Sequence, residues 1–218
     1  MLELKEVKRG SLKIRAVERN SPIGQKLMDE IYKMRFESYT QLSWIPFSKE
    51  KSKLVKDDFD DSPNTTHFVI IENGRIIGSH RATKYSPEDK LPCYKDGHTL
   101  ELFKTTNKSI SELTRLVLRQ DRRYPGCVLQ LAYNMINYTL NNLSEQVCTI
   151  GNPEAKDLFE YIGTKQVNDK VECTIDGTGE NSLVLEGIPM LGNKSTLNYK
   201  LPLDKYPIDR NFVIIKSG

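Results

Sequence analysis

The chain of 218 residues has one tryptophan, three histidines and four cysteines, and each scarcity excludes something. Cys93, Cys127, Cys148 and Cys173 are widely spaced and form no CxxC pair, so neither a zinc knuckle nor a disulfide framework is indicated. The thiols are expected to be reduced and partly buried. Cys93 with His98 comes nearest to a metal pair, and a metal site needs closely paired ligands. His67, His80 and His98 stand in no triad context and are expected to be structural or exposed. No apolar run approaches the roughly 20 residues a membrane helix requires. Met1 to Gly10 is charged and has no apolar h-region, so no signal peptide is expected and the default compartment is the cytoplasm. A net charge of +3 is too close to neutral for a dedicated nucleic-acid binder. Internal repeats and low-complexity stretches are lacking as well.

What is present is an ordinary globular composition, 38% hydrophobic and 28% charged, long enough to bury a sizeable core without staples. Leu12 to Val17 alternates like an opening strand. Ser21-Pro22 supplies an N-cap and a first-turn proline, and Ile23, Leu27, Ile31, Met34 and Tyr39 follow at helical spacing to about Trp44. His67 to Ile71 and Ile76 to Thr83 flank Asn73-Gly74, the signal of a tight antiparallel hairpin. Residues 85 to 108 read as loop, and Ile110 to Leu118 as a strand. Pro125-Gly126 opens an apolar helix over about Val128 to Leu143. Val147 to Ile150 is a short strand, Glu154 to Ile162 a helix closed by Gly163, and Lys165 to Val167 the start of another strand. Leu183 to Leu185 and Phe212 to Ile215 are further candidate strands. The order predicts a mixed α/β sheet with helices on both faces. The expected organisation is one domain over residues 1–175 with a C-terminal extension, 176–218, packed on it.

Two stretches resemble the GNAT superfamily of acyltransferases. One is the strand-to-helix junction Arg122-Arg123-Tyr124-Pro125-Gly126, where such enzymes hold the pyrophosphate of coenzyme A on backbone amides. The other is Asp157-Leu158-Phe159-Glu160-Tyr161-Ile162-Gly163, similar to the helix after the fifth strand of that fold. A narrower resemblance covers residues 14 to 165. Arg35, Tyr39 and Trp44, then Asp57-x-Phe59-Asp60, then Gly78-x-x-Arg81, then Glu112-Leu113-Thr114-Arg115 match, in order, the charged constellations shared by autoinducer (acyl-homoserine-lactone) synthases and N-acyl amino acid synthases. Thr114 stands where serine is usual and keeps the hydroxyl, and Leu116 is closer to the N-acyl amino acid branch. The junction has a single glycine and a proline, and proline removes one backbone amide. That favours the phosphopantetheine thioester of an acyl carrier protein over acyl-CoA as co-substrate, with no bound cofactor and no metal.

The resemblance implies a GNAT-like, mostly antiparallel central sheet and amine N-acylation from an acyl thioester. Glu112 is the first candidate for general base, and Asp60 the second. A carboxylate on an apolar strand is expected to be paired or functional, and a structural ion pair of Glu112 with Arg115 would need a bulge. Arg35, Tyr39, Trp44, Asp57, Phe59, Arg81 and Arg115 are candidates for binding the acceptor, the arginines alternatively locking the acidic residues in place. The resemblance puts the acyl thioester at Leu116, Val117 and Leu118, where a bulge would offer a backbone N–H to the oxyanion. Arg119, Arg122 and Arg123 would dock the acidic carrier protein, or simply form a solvated helix start. Leu131, Met135 and Ile136 would line an acyl tunnel in this family, although an ordinary buried helix looks the same. Four readings stay open: N-acyl amino acid synthase, lactone synthase using S-adenosylmethionine, acetyl-CoA-dependent acetyltransferase, and a non-catalytic binding module on the same scaffold.

Overall fold

Local chemistry sets the ends of the first helix. Ser21 accepts a hydrogen bond from the Gly24 N–H at 3.0 Å and Pro22 takes the first helical position, opening α1, Pro22–Gln41. The helix ends at Gln41 with Leu42 as its cap, and Trp44 lies outside the described residues. The computed structural model describes residues 7–9, 12–42, 54–86, 90–104, 107–122, 125–175, 183–201 and 211–216.

The strands are β1 (Val7–Arg9), β2 (Leu12–Glu18), β3 (Thr65–Glu72), β4 (Arg75–Lys84), β5 (Ile110–Leu118), β6 (Gln146–Gly151), β7 (Lys165–Gln166), β8 (Val171–Ile175), β9 (Leu183–Asn193) and β10 (Asn211–Lys216). Their order in the sheet is β1-β2-β10-β3-β4-β5-β6-β9-β7, with β8 paired to β9. Only β2–β10 and β5–β6 run parallel among these pairs. Asn73 and Gly74, at φ 51° and 75°, make the tight turn between β3 and β4, where both central residues must adopt positive φ.

Helices cover both faces, as the element order predicts. On one face α1 buries Ile31, Met34 and Phe36 against Val69, Ile76, Val117, Val213 and Ile215. On the other, α2 (Pro125–Asn142) and α3 (Lys156–Ile162) pack on Phe68, Ile70, Leu113 and Phe212. Each fully buried aliphatic side chain contributes about 1.5–3 kcal/mol. Leu131, Met135 and Ile136 sit in this core at 0–1% exposure, so they pack as an ordinary buried helix face rather than facing open space.

Two features add to the expected organisation. Residues expected to be an extension supply β9 and β10, and β10 lies inside the sheet between β2 and β3. The stretch read as loop contains two 3-10 turns, Pro92–Asp96 and Leu100–Phe103, which bury Leu91, Cys93 and Phe103 in a satellite core with Ile110 and Cys148.

The sheet splits at one place. β5 and β6 pair only over Ile110–Glu112 and Gln146–Cys148. Beyond that the Leu113 carbonyl accepts from the Thr149 hydroxyl at 2.7 Å. The strands then diverge, leaving a cleft between them.

Candidate active site

The β4–β5 ladder is broken opposite His80. Ser79 pairs with Val117 and Arg81 with Thr114, so Arg115 and Leu116 together oppose one residue. This is a β-bulge, and Arg115 takes the left-handed conformation at φ 59°, unusual for a non-glycine residue in a strand. Bulge and cleft meet in a cavity of about 390 Å³. β4 and β5 line it with His80, Arg81, Glu112, Thr114, Arg115 and Leu116. The far side comes from Thr149–Asn152 and from Phe159 of α3, and the mouth from Pro92, Lys95, Cys173 and Glu186.

A lattice of arginines and aspartates forms one wall. Capping of the 3-10 turn Asp58–Asp60 brings the Asp57 N–H to the Asp60 carboxylate at 3.0 Å. Arg35, from α1, donates through Nη1 to both Asp60 carboxylate oxygens at 2.8 Å. Arg81 donates to Asp57 at 2.5 Å, to Asp60 at 2.9 Å and, through Nε, to the Thr114 hydroxyl at 3.0 Å. Arg115 donates to Asp57 through Nη2 at 2.7 Å. Burial pushes the Asp60 carboxyl up, but Arg35 and Arg81 outweigh it and hold the group well below the ordinary carboxylate range. Burial likewise raises Asp57, and Arg81 and Arg115 overcome it, leaving that carboxyl lowered to about 2. Burial and the Arg35 charge lower His67 to about 3, so its ring stands neutral beside the Asp60 carbonyl rather than completing an ion pair.

The lattice places the predicted residues in different relations to the cavity. Tyr39, Asp57, Phe59, Arg81, Glu112, Arg115 and Leu116 line it. Arg35 and Asp60 do not; they are fully buried behind the wall, holding one another and Arg81. A carboxylate so engaged by two guanidiniums is poorly suited to take a proton, which corrects the expectation of Asp60 as a base. Glu112 and Arg115 do not form the structural pair considered above: Arg115 turns to Asp57, while Glu112 accepts the Cys93 N–H at 2.8 Å. Val117 and Leu118 are packed in the cores of opposite faces, so of the expected thioester contacts only Leu116 reaches the cavity. Arg119 is engaged with the Ile76 carbonyl at 2.8 Å and with Glu37 at 2.6 Å, beside a shallow surface pocket that includes Arg75. Arg122 closes the 3-10 turn Gln120–Arg122, and Arg123 lies outside the described residues.

Other cavity residues escaped the sequence reading. His80, expected to be structural or exposed, is 1% exposed and borders the cavity at the bulge. Its placement inside the Gly78-x-x-Arg81 motif was the only signal available. Lys95, Cys173 and Glu186 come from a turn and a hairpin whose approach to the cleft is purely tertiary. Cys93, Cys127 and Cys148 are buried and Cys173 partly so, and no disulfide joins them.

The split sheet, the bulged strand and the carboxylate in the resulting cleft fit the GNAT-like acyltransferase fold that the sequence resemblance implies. More narrowly, the family profile of the N-acyl amino acid synthase FeeM matches residues 30–181, and the chain belongs to that family. No curated protein sequence matches. Among solved structures, the N-acyl amino acid synthase FeeM from uncultured soil microbes is similar at a TM-score of 0.58 and 16% identity, over 82% of this chain and 97% of that one. The CoA-dependent acyl-homoserine lactone synthase BjaI, with SAM and isopentyl-CoA, is similar at 0.59 and 18% identity, over 83% of each chain. The AHL synthase LasI is similar at 0.55 and 14% identity, over 77% of this chain and 83% of that one. At these identities the three structures establish a shared fold.

Proposed function

We propose that the protein moves a fatty acyl group from an acyl carrier protein thioester to the amine of an amino acid or similar small molecule. The observation that carries this is the burial of Glu112 in the wall of the cavity that also contains the bulge and the Asp57–Arg115 pair. The acceptor's ammonium loses a proton to Glu112, directly or through a water, and the amine attacks the thioester carbon. Arg115 and Arg81 give that end of the cavity a positive character suited to an acceptor carboxylate. Arg35 and Asp60 hold Arg81 and Asp57 in place. The acyl chain runs toward Phe159, and the thioester sits at the bulge beside Leu116. The carrier protein, a partner in this reading, docks near Arg119. No helix among the described residues is long and apolar enough to cross a membrane, which is compatible with work in the cytoplasm.

Mass spectrometry of lipid extracts from cells expressing the protein tests the reading. A long-chain N-acyl amino acid is the expected product. An acyl-homoserine lactone would replace the proposed acceptor with S-adenosylmethionine, and the absence of any acylated amine would refute acyl transfer.

A further inference from the structure

His80 is buried in the middle of β4 and takes no part in the Arg–Asp ion pairs among the described residues. It stands directly opposite Arg115 and Leu116, the two residues that leave the β4–β5 ladder, and it borders the cavity with Leu116. The side chain is 1% exposed, and its Nδ1 is buried with no hydrogen-bond partner among the described residues. A buried imidazole with one nitrogen sealed off and unpartnered leaves a buried acceptor at less cost than a buried N–H, so the proton belongs on Nε2. With Nδ1 sealed, Nε2 is the ring nitrogen left to meet a ligand in the cavity.

We propose that His80 is a catalytic residue whose neutral Nε2–H donates to the thioester carbonyl oxygen, beside the backbone N–H of Leu116 at the bulge. This rests on the acyl-transfer reading and adds the side chain that stabilises its tetrahedral intermediate. The acceptor nitrogen bonds to the carbonyl carbon and the carbonyl π pair moves onto oxygen, where His80 and the bulge receive it. The C–S bond then breaks and the pair returns to form the amide carbonyl. Of the two protons the ammonium loses, one leaves through Glu112 and the other goes to the departing sulfur as a thiol. His80 keeps its proton throughout. Burial, and then the Arg35 and Arg81 charges, hold the ring's pKa down at about 3, so it stays neutral under working conditions. A neutral imidazole of lowered pKa is a suitable donor to a developing oxyanion and a poor base.

The test uses the full chain with a mixture of the proteinogenic amino acids and a fatty acyl carrier protein thioester, product being followed by mass spectrometry. His80→Ala is expected to lower kcat by about 10²-fold while KM for the thioester changes little. Glutamine places an amide N–H near the position of Nε2, and asparagine near that of Nδ1. His80→Gln should therefore recover at least about tenfold over His80→Ala, and His80→Asn should not. The Gln and Asn variants differ by one methylene, so their comparison survives if the alanine variant fails to fold. Equal activity of Gln and Asn, a wild-type kcat in His80→Ala, or a loss confined to KM each overturns the oxyanion role and leaves acyl transfer standing. No acylated product from the wild type would remove the acyl-transfer reading and His80 with it.

Discussion

Asp60→Asn is the sharpest perturbation of the cavity wall. The substitution keeps shape and removes one negative charge from a place where Asp60 and Arg35 have 0% side-chain exposure and Arg81 has 1%. Two guanidiniums then lose a shared counter-charge in a medium that cannot hydrate them. Removing one partner of a buried ion pair typically costs about 3–5 kcal/mol. For a chain of this size, each kcal/mol moves Tm by about 2–4 °C, so a fall of roughly 6–20 °C is expected in calorimetry. Asp61→Asn is the control: its side chain is 48% exposed against Arg19 and Lys56, and exposed pairs contribute at most about 1 kcal/mol. The pH dependence follows from the same charges. Asp60 is held below the ordinary range, and Asp57 is lowered from 3.8 to about 2, which at neutral pH corresponds to about 2 kcal/mol for Asp57 alone. Because the folded-state values are depressed, this stabilisation is complete above the unfolded value near pH 4 and is lost as pH falls toward the folded values. Wild type should therefore lose stability steeply below about pH 4, and Asp60→Asn should show a shallower acid limb. A Tm shift under about 2 °C, with an unchanged acid limb, would refute the view that Asp60 neutralises the lattice.

Glu112→Gln should lower kcat by about 10²–10⁴-fold without loss of fold, measured as N-acyl product per enzyme; activity within a few-fold of wild type would remove Glu112 as base. Arg119→Glu should raise KM for a carrier-bound donor and leave that for the matching acyl-CoA unchanged, and added salt should do the same to wild type; insensitivity to both would sink carrier docking there. Phe159→Leu should shift the product distribution toward longer acyl chains in a competition among thioesters, since Phe159 bounds the cavity beside Gly151. An unchanged distribution would place the acyl chain elsewhere.

Much of the architecture was legible because it is local. Ser21-Pro22 and Asn73-Gly74 carry their own geometry, and the apolar periods of α1 and α2 match the faces they bury. The charged residues that line the cavity or brace it were legible through their resemblance to a family, not through spacing. Asp57 and Arg115 are 58 positions apart, and nothing in the intervening sequence announces that they meet. The placement of β10 beside β2 depends on pairing across nearly the whole chain, which leaves no periodic trace. The role of Asp60 stayed open between base and brace, because an aspartate reads as either until the number of guanidiniums around it is known. The bulge was legible only through the resemblance, and the strand-like sequence gives no sign that Arg115 is its left-handed residue.

The place of β10 bears on how the molecule is made. Phe212 to Ile215 are 0–4% exposed between β2 and β3, and they leave the ribosome after every other described strand. Until then β2 and β3 each present an unpaired edge, and the apolar faces that Phe212 and Val213 will cover stand open. A chain stalled or clipped short of residue 211 is thus a sticky half-sheet, the kind of intermediate that chaperones hold and proteases remove. Closure of the sheet waits on the last of the described strands.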